Sequence, residues 1–307
     1  MASKKGASLG LAIDRSRAER DDGRKAGSKM SQHADHTPES LPVTSSVPSE
    51  LPEKQEALAR EVLVALEQQR IPFAVAGAYA LLQHTGICRT TKDLDLFLAS
   101  ESWLPTLRYL KGRGFHCEVC DPVWLAKVRR DDYFVDLITG MSNATLSVDE
   151  SWIRNAEPAS VLGIPTRVLA PEELLVSKLF VTRRERFDGA DIAHIIYGTA
   201  GNLDWGRILH HAGEHWEMLL WALVLFRYVY PAQTHYVPAV LWQDLLDRFR
   251  KLVLEPDGQG KFRGSLIDDN MFAIDVKDWG LDDVLQEYRS SRLSKMGMKA
   301  DAFAARK

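Results

Sequence analysis

Two aspartates separated by a single residue are the first residues in this sequence whose types and spacing could carry chemistry. Asp93 and Asp95 flank Leu94 and open an apolar segment that we predict to be a strand over residues 93–98. Side chains of a strand alternate between its faces, so both carboxylates point the same way, roughly 6.5–7 Å apart. Carboxylates on one face repel each other unless a cation lies between them, and such oxygen ligands suit Mg²⁺. The spacing therefore predicts a divalent-metal site.

A glycine turn lies just before this strand in the sequence. A short apolar strand is predicted over residues 73–76, after which Gly77 and Ala78 turn the chain into a helix over residues 79–84 that ends at Gly86. Glycine lets the backbone come close to a ligand, and the free N–H groups at a helix start favour an anion. The pattern predicts a phosphate-binding turn beside the metal-binding strand.

Asp136 is a third candidate carboxylate. It interrupts the apolar residues 133–138, which we predict to pair with residues 124–129 in a hairpin around Asp131 and Asp132. A carboxylate in a central strand is costly unless it is paired or bound to a metal. Asp136 could thus join Asp93 and Asp95, and the alternative is an acid on an edge strand that faces water.

The rest of the chain predicts an α/β fold in which a small mixed β-sheet flanked by helices precedes a mainly helical C-terminal domain. A further strand and a hairpin are predicted over residues 116–119 and 161–168, and residues 260–279 are predicted to be irregular. Helices are predicted over residues 52–69, 101–111, 171–183, 188–197, 205–211, 216–229, 239–254 and 281–292. We predict a disordered tail over residues 1–49, a core domain over 50–170, a helical domain over 171–295 and a polar tail over 296–307.

Composition limits the function classes. The 307 residues are 45% hydrophobic and 26% charged, which is ordinary for a globular protein, and the net charge of −3 leaves nucleic-acid binding unsupported outside the basic tail. Met30 is an alternative start, in which case residues 1–29 would not be native. Three cysteines cannot form a disulfide framework, which predicts a cytoplasmic protein. The apolar residues 218–230 are too short to span a membrane and are interrupted by Arg227.

These segments resemble the nucleotidyltransferase superfamily, which has the polymerase beta-like fold, and the AbiEii-like bacterial branch most closely. The resemblance covers about residues 55–200. It lies in Val75–Ala80, in Arg89–Leu96, in Asp136, in the helix from Glu173 to Lys178, and in Arg186, Asp188 and Asp191.

The resemblance implies transfer of a nucleoside monophosphate from an NTP to a hydroxyl of a protein, an RNA or a small molecule. Asp93 and Asp95 would hold two Mg²⁺ ions, with Mn²⁺ as the alternative, while Asp136 would share one ion and help deprotonate the acceptor. The implied nucleotide-binding residues are Gly77, Ala78, Arg89, Lys92 and Lys178.

One departure from the family keeps a second function open. The turn is usually Gly-Gly or Gly-Ser, and Ala78 removes the hydroxyl contact to the triphosphate. The alternative is a non-catalytic nucleotide-binding or toxin–antitoxin-type interaction protein with the same fold, which would bind a partner protein. Asp188 and Asp191 are interpreted as a helix N-cap and a first-turn partner of the helix dipole rather than as catalytic groups, and Arg89 could brace the loop by pairing with Asp93 or a backbone carbonyl.

Overall fold

A seven-stranded mixed β-sheet forms the centre of the protein in the computed structural model, which describes residues 51–297. Its strand order is β3-β4-β5-β2-β1-β7-β6, with parallel pairing between β2 and β5 and between β1 and β7. The strands are β1 (Ala74–Val75), β2 (Leu94–Phe97), β3 (His116–Asp121), β4 (Leu125–Arg130), β5 (Tyr133–Ile138), β6 (Glu157–Val161) and β7 (Ile164–Val168). The predicted mixed sheet is confirmed. The predictions for residues 1–49 and for the polar tail from residue 298 onward lie outside the described residues.

Helices cover the sheet and make up most of the second half of the described chain. Those of the first half are α1 (Glu53–Gln68), α2 (Gly77–Thr85), α3 (Trp103–Gly112), α4 (Glu150–Asn155) and α5 (Pro171–Ser177). Those of the second half are α6 (Gly189–Gly198), α7 (Trp205–Ala212), α8 (Trp216–Val229), α9 (Ala239–Leu254), α10 (Gly264–Asp268), α11 (Ala273–Lys277) and α12 (Leu285–Lys295). The fold class predicted from the sequence is confirmed, including the helical second half.

The central strand β2 shows how the core positions the site. Leu94, Leu96 and Leu98 are fully buried, as their alternation with the aspartates predicts. Burying a leucine side chain stabilises the fold by about 1.5–3 kcal/mol, so this face fixes which way the opposite face points. The hydrophobic core that contains these leucines continues into α6, α7 and α8. The predicted domain boundary at residue 170 therefore stays a prediction.

Helix α5 is shorter than the prediction of residues 171–183. It ends at Ser177, and a two-stranded hairpin of β8 (Thr182–Arg183) and β9 (Arg186–Phe187) follows. Lys178 leaves the helix to form buried ion pairs with two aspartates further along the chain. These ion pairs with later residues accompany the end of α5 and the reversal of the chain into the hairpin. Helical periodicity in the sequence does not predict them.

Residues 260–279 were predicted to be irregular, but they contain the short helices α10 and α11. The Asp268 carboxylate stabilises the end of α10, because it accepts hydrogen bonds from the N–H groups of Asn270 (2.9 Å) and Met271 (3.0 Å). It also accepts one from the Arg184 N–H at 3.2 Å, which ties this segment to the β8–β9 hairpin. The last helix, α12, begins at Leu285 rather than at residue 281.

Across residues 51–297, no helix has both the length and the apolar character needed to cross a bilayer. The three cysteines lie within these residues and form no disulfide there.

Candidate active site

The register between β2 and β5 brings the three predicted carboxylates together. These strands run parallel, with Asp95 directly opposite Asp136. Asp93 stands two residues before Asp95 and therefore points to the same face. One carboxylate oxygen from each of the three residues lies within 4.8 Å of the others.

Burial and mutual repulsion set the electrostatics of this carboxylate cluster. Burial, together with the charges of Asp93 and Asp136, raises the pKa of Asp95 to about 7. Burial raises the pKa of Asp136 as well, although the ammonium of Lys127 opposes that shift. The Lys127 ammonium offsets only part of the repulsion among the three carboxylates. A second cation bound in this cluster would offset the remaining repulsion.

Lys127 is a site residue that the sequence analysis missed. Its Nζ donates to Asp136 Oδ1 at 2.5 Å, from the directly opposite position on β4. The signal was present in the sequence, because a hairpin turning at Asp131 and Asp132 pairs position 127 with position 136.

Gly77 lets the turn between β1 and α2 lie against the carboxylate cluster. Its φ is +57°, and a Cβ added there would stand 2.1 Å from Asp95 Oδ2. The N–H of Ala76 donates to the Asp95 carbonyl at 2.9 Å, which holds the turn against β2. Helix α2 starts at Gly77, so the free N–H groups of its first turn, including that of Ala78, lie beside Asp95.

A second charged group, formed by Lys178, Asp188 and Asp191, lines the same cleft as the carboxylate cluster. Lys178 Nζ is 3.0 Å from Asp188 Oδ2 and 2.7 Å from Asp191 Oδ2, and all three residues are buried. Burial alone would raise the pKa of Asp188, but Arg186 and Lys178 lower it below its ordinary value. Removing one partner of a buried ion pair is strongly destabilising, so these contacts fix where α5 and α6 lie.

The predicted position of Asp188 at the N-cap of α6 is confirmed, but its side chain does not cap the helix. Its carboxylate accepts no hydrogen bond from that helix. It pairs instead with Arg186, whose Nε and one terminal nitrogen each donate at 3.0 Å. Arg89 does not pair with Asp93, as the alternative had it, but with Asp191. Unlike Lys178, the side chains of Arg186 and Arg89 keep 69% and 39% of their surface exposed.

A single cleft of about 560 Å³ contains nearly every predicted site residue. Cavities of this size accommodate small-molecule ligands and cofactors. Lys92 is the exception, because it is exposed and does not line the cleft. The predicted residues that line it are Gly77, Ala78, Arg89, Asp93, Asp95, Asp136 and Lys178.

The donor atoms of the carboxylate cluster fit a hard divalent cation. They are three carboxylate oxygens close enough to share one ion, and neither histidine nor cysteine belongs to the group. All-oxygen sites suit Mg²⁺, Ca²⁺ and Mn²⁺, whereas imidazole and thiolate ligands select Zn²⁺ and copper. The absence of a side chain at Gly77 also leaves the Asp95 carboxylate open on the side of the turn.

A mixed sheet with this glycine turn and carboxylate cluster defines a nucleotidyltransferase-type α/β protein. The chain belongs to the family described as "Nucleotidyl transferase of unknown function (DUF2204)", whose model matches residues 55–214. That match contains the three carboxylates, the turn and the Lys178 ion pairs. A comparison with curated proteins gave no match.

Several solved structures are similar to this chain at low identity. A nucleotidyltransferase-like antigen from Paracoccidioides brasiliensis is 19% identical, with 61% of this chain and 95% of that chain covered and a TM-score of 0.39. For the antibiotic-resistance factor ANT(2'')-Ia the identity is 16%, the coverages are 60% and 96%, and the TM-score is 0.35. For JHP933 from Helicobacter pylori these values are 14%, 68%, 100% and 0.34. Similarity at this level transfers neither a substrate nor a catalytic residue.

Proposed function

We propose that this protein transfers a nucleoside monophosphate from an NTP to a hydroxyl acceptor, with a divalent cation held by Asp93, Asp95 and Asp136. The convergence of these carboxylates beside the Gly77 turn is the observation that carries the proposal. Membership of a nucleotidyl transferase family supports the reaction class. We assign the cation as Mg²⁺, with Mn²⁺ as the alternative, because all three ligands are hard oxygens.

When bound, the cation would supply Lewis-acid chemistry, which polarises phosphoryl oxygens and offsets the negative charge that grows during transfer. The protein residues have the complementary task of positioning the triphosphate. Gly77 and Ala78 line the cleft and carry the first N–H groups of α2, which would favour a phosphate oxygen. Arg89 and Arg186 pair with Asp191 and Asp188 and keep part of their surface exposed, so that they would neutralise the departing pyrophosphate from these positions. Lys178 is buried and acts as a positioning residue. It pairs with the two aspartates that hold these arginines, one for each arginine.

The proposed reaction is an in-line displacement at the α-phosphorus. The acceptor oxygen forms a bond to that phosphorus, the bond to pyrophosphate breaks, and pyrophosphate leaves with the electron pair. The hydroxyl proton passes to Asp136, whose Oδ1 accepts from Lys127 and whose Oδ2 is thereby oriented. General-base assistance of this kind contributes roughly 10²–10⁴-fold to a rate.

Finer assignments rest on the same residues. Lys178 in contact with Asp188 and Asp191 supports the AbiEii-like branch, whose lysine- and aspartate-bearing helices they resemble. We propose a core domain over residues 50–170, since all seven strands of the main sheet lie there, and a helical domain over 171–295. The cytoplasmic location and a toxin–antitoxin partner protein stay predictions from the sequence.

Calorimetric titration of ATP, CTP, GTP and UTP into the full-length protein, with and without Mg²⁺, tests the proposal. We expect Mg²⁺-dependent binding of at least one NTP, weakened roughly a hundredfold in Asp93→Ala/Asp95→Ala because the bridge between triphosphate and protein is lost. Asp132→Ala removes an exposed acid from the β4–β5 hairpin and should bind like the wild type. Equal binding by the double variant would contradict the metal site. Absence of binding by the folded wild type would favour the interaction-protein alternative, which Ala78 kept open.

A further inference from the structure

A second cavity, of about 490 Å³, adjoins the catalytic cleft. Four residues line both cavities, namely Trp124, Ser142, Asn143 and Arg183. The second cavity contains none of the three clustered carboxylates and none of the Gly77 turn. The two cavities therefore meet along these four shared residues.

The C-terminal segment builds the far wall of this second cavity and is fixed to the core. Arg289 of α12 pairs with both oxygens of Asp121 at 3.0 and 3.1 Å and donates to the Ser142 carbonyl at 2.8 Å. Asn143 Nδ2 donates to the Leu266 carbonyl of α10 at 2.7 Å. These contacts join residues more than a hundred positions apart, so the cavity is part of the folded structure rather than a gap between loose segments.

Arg292 strengthens this attachment one turn further along α12. Its buried guanidinium donates to the Val123 carbonyl at 3.1 Å and to Ser100 Oγ at 3.0 Å. Burial lowers the pKa of Arg292 to about 10. A buried cation with several carbonyl and hydroxyl partners fixes the helix to the sheet, because each of those buried groups would otherwise lack a hydrogen-bond partner.

Charges in the second cavity balance, and neutral polar groups remain. Asp121 neutralises Arg289, which leaves one cation, Arg183, and one exposed acid, Asp269. The Oγ of Ser265 is buried and has no hydrogen-bond partner among residues 51–297. A buried hydroxyl without a hydrogen-bond partner destabilises the fold, and a ligand that forms a hydrogen bond with it would remove that free-energy cost.

The cavity also presents side-chain amides and an aromatic ring. Asn270 and Gln286 contribute amides, each with donors and an acceptor, while Trp124 contributes an indole and Leu125 and Leu285 contribute apolar surface. Balanced charge argues against RNA, whose binding needs a basic surface to neutralise phosphates. Mixed donors and acceptors beside an aromatic face suit a small molecule with several hydroxyl groups.

We infer that this second cavity binds the acceptor, and that the acceptor is a small polyhydroxylated molecule of the sugar or polyol class. The inference rests on the proposed nucleotide transfer and names its second substrate. One acceptor hydroxyl reaches past Trp124 and Asn143 to the α-phosphorus of the NTP. The oxygen–phosphorus bond forms, pyrophosphate leaves with its electron pair, and the hydroxyl proton passes to Asp136. The remaining hydroxyls bond to Ser265, Asp269 and Asn270.

The test combines an acceptor panel with a variant of the cavity wall. Each of the four α-³²P-labelled NTPs is incubated with Mg²⁺, the full-length protein and one probe: glucose, glucosamine, sucrose, myo-inositol, total RNA or casein. Asp269→Ala/Asn270→Ala removes two polar groups of the wall, and Asp278→Ala is the matched control, an exposed acid of the same segment that does not line the cavity. We expect label on at least one sugar or polyol, and at least a tenfold higher acceptor KM in the double variant. The Kd for Mg²⁺–NTP should be the same for both variants and the wild type.

Two results would overturn the inference and leave the nucleotide site standing. One is NTP binding by the wild type without label on any sugar or polyol, including label on RNA or casein alone. The other is an NTP Kd raised in the double variant as much as its acceptor KM, because the cavity would then hold the nucleotide base. If the wild type binds no NTP, the proposed function itself fails.

Discussion

Replacing Asp95 with asparagine should reduce kcat/KM for nucleotide transfer about a thousandfold, which corresponds to about 4 kcal/mol of transition-state stabilisation. The amide has the same shape as the carboxylate but offers the cation a neutral oxygen, next to Asp93 and Asp136. Steady-state rates with labelled NTP measure the loss. Asp132→Asn, on the exposed turn of the β4–β5 hairpin, is the control and should keep wild-type activity.

The same substitution should leave the fold intact. Three carboxylate oxygens within 4.8 Å of one another repel in the metal-free protein, so a neutral side chain at position 95 relieves that repulsion. We expect the metal-free variant to unfold at a Tm equal to or above that of the metal-free wild type. A variant with wild-type turnover would contradict the role of Asp95, and a variant that is inactive because it is unfolded would show up as a lost thermal transition.

Replacing Gly77 with alanine should abolish transfer for a steric reason. The new Cβ would meet Asp95 Oδ2 at 2.1 Å, so either the carboxylate or the turn must move. The left-handed backbone at φ +57° adds a cost of about 1 kcal/mol for a residue with a Cβ. A displacement of about 1 Å in a catalytic constellation costs roughly a hundredfold in rate, and here a metal ligand is the displaced group.

Gly86→Ala is the matched control for Gly77→Ala. Gly86 ends helix α2 with φ +70°, so its substitution brings a similar backbone cost, but a Cβ there has no neighbour within 4 Å. Gly86→Ala should lose only the backbone contribution to the unfolding free energy in urea, and Gly77→Ala should lose at least that much because of its clash with Asp95. Only Gly77→Ala should lose nucleotide transfer and Mg²⁺-dependent NTP binding. Equal activities in the two variants would show that the close approach of Gly77 to Asp95 has no functional consequence.

Local patterns predicted the individual carboxylates of the cluster. The alternation around Asp93 and Asp95 gives their common face, and the apolar run around Asp136 marks a buried strand. Their convergence depends on the parallel pairing of β2 with β5, which no local pattern gives. The resemblance to nucleotidyltransferases supplied only the expectation that Asp136 joins the other two. The contact of Lys127 with Asp136 could also have been predicted, because the predicted hairpin fixes the two residues at opposite positions.

Features that depend on distant segments could not be predicted from the sequence. Lys178 leaves the helical pattern because Asp188 and Asp191 approach it from another helix, and a periodicity argument sees neither aspartate. The second cavity needs residues from β3, the β8–β9 hairpin, α10 and α12 at once. Lys92 was included in the site by the resemblance, but it precedes β2, is exposed and does not line the cleft.

The proposed chemistry is tested most directly by following the α- and γ-phosphates of the NTP separately. The wild type, with Mg²⁺ and the acceptor panel, is supplied in parallel with α-³²P- and γ-³²P-labelled NTP, and Asp93→Ala/Asp95→Ala is run beside it. We expect the α-label on the acceptor and the γ-label in pyrophosphate in equal amount, and neither product from the variant. Transfer of the γ-label to the acceptor, or α-label transfer that persists in the variant, would contradict the proposed chemistry.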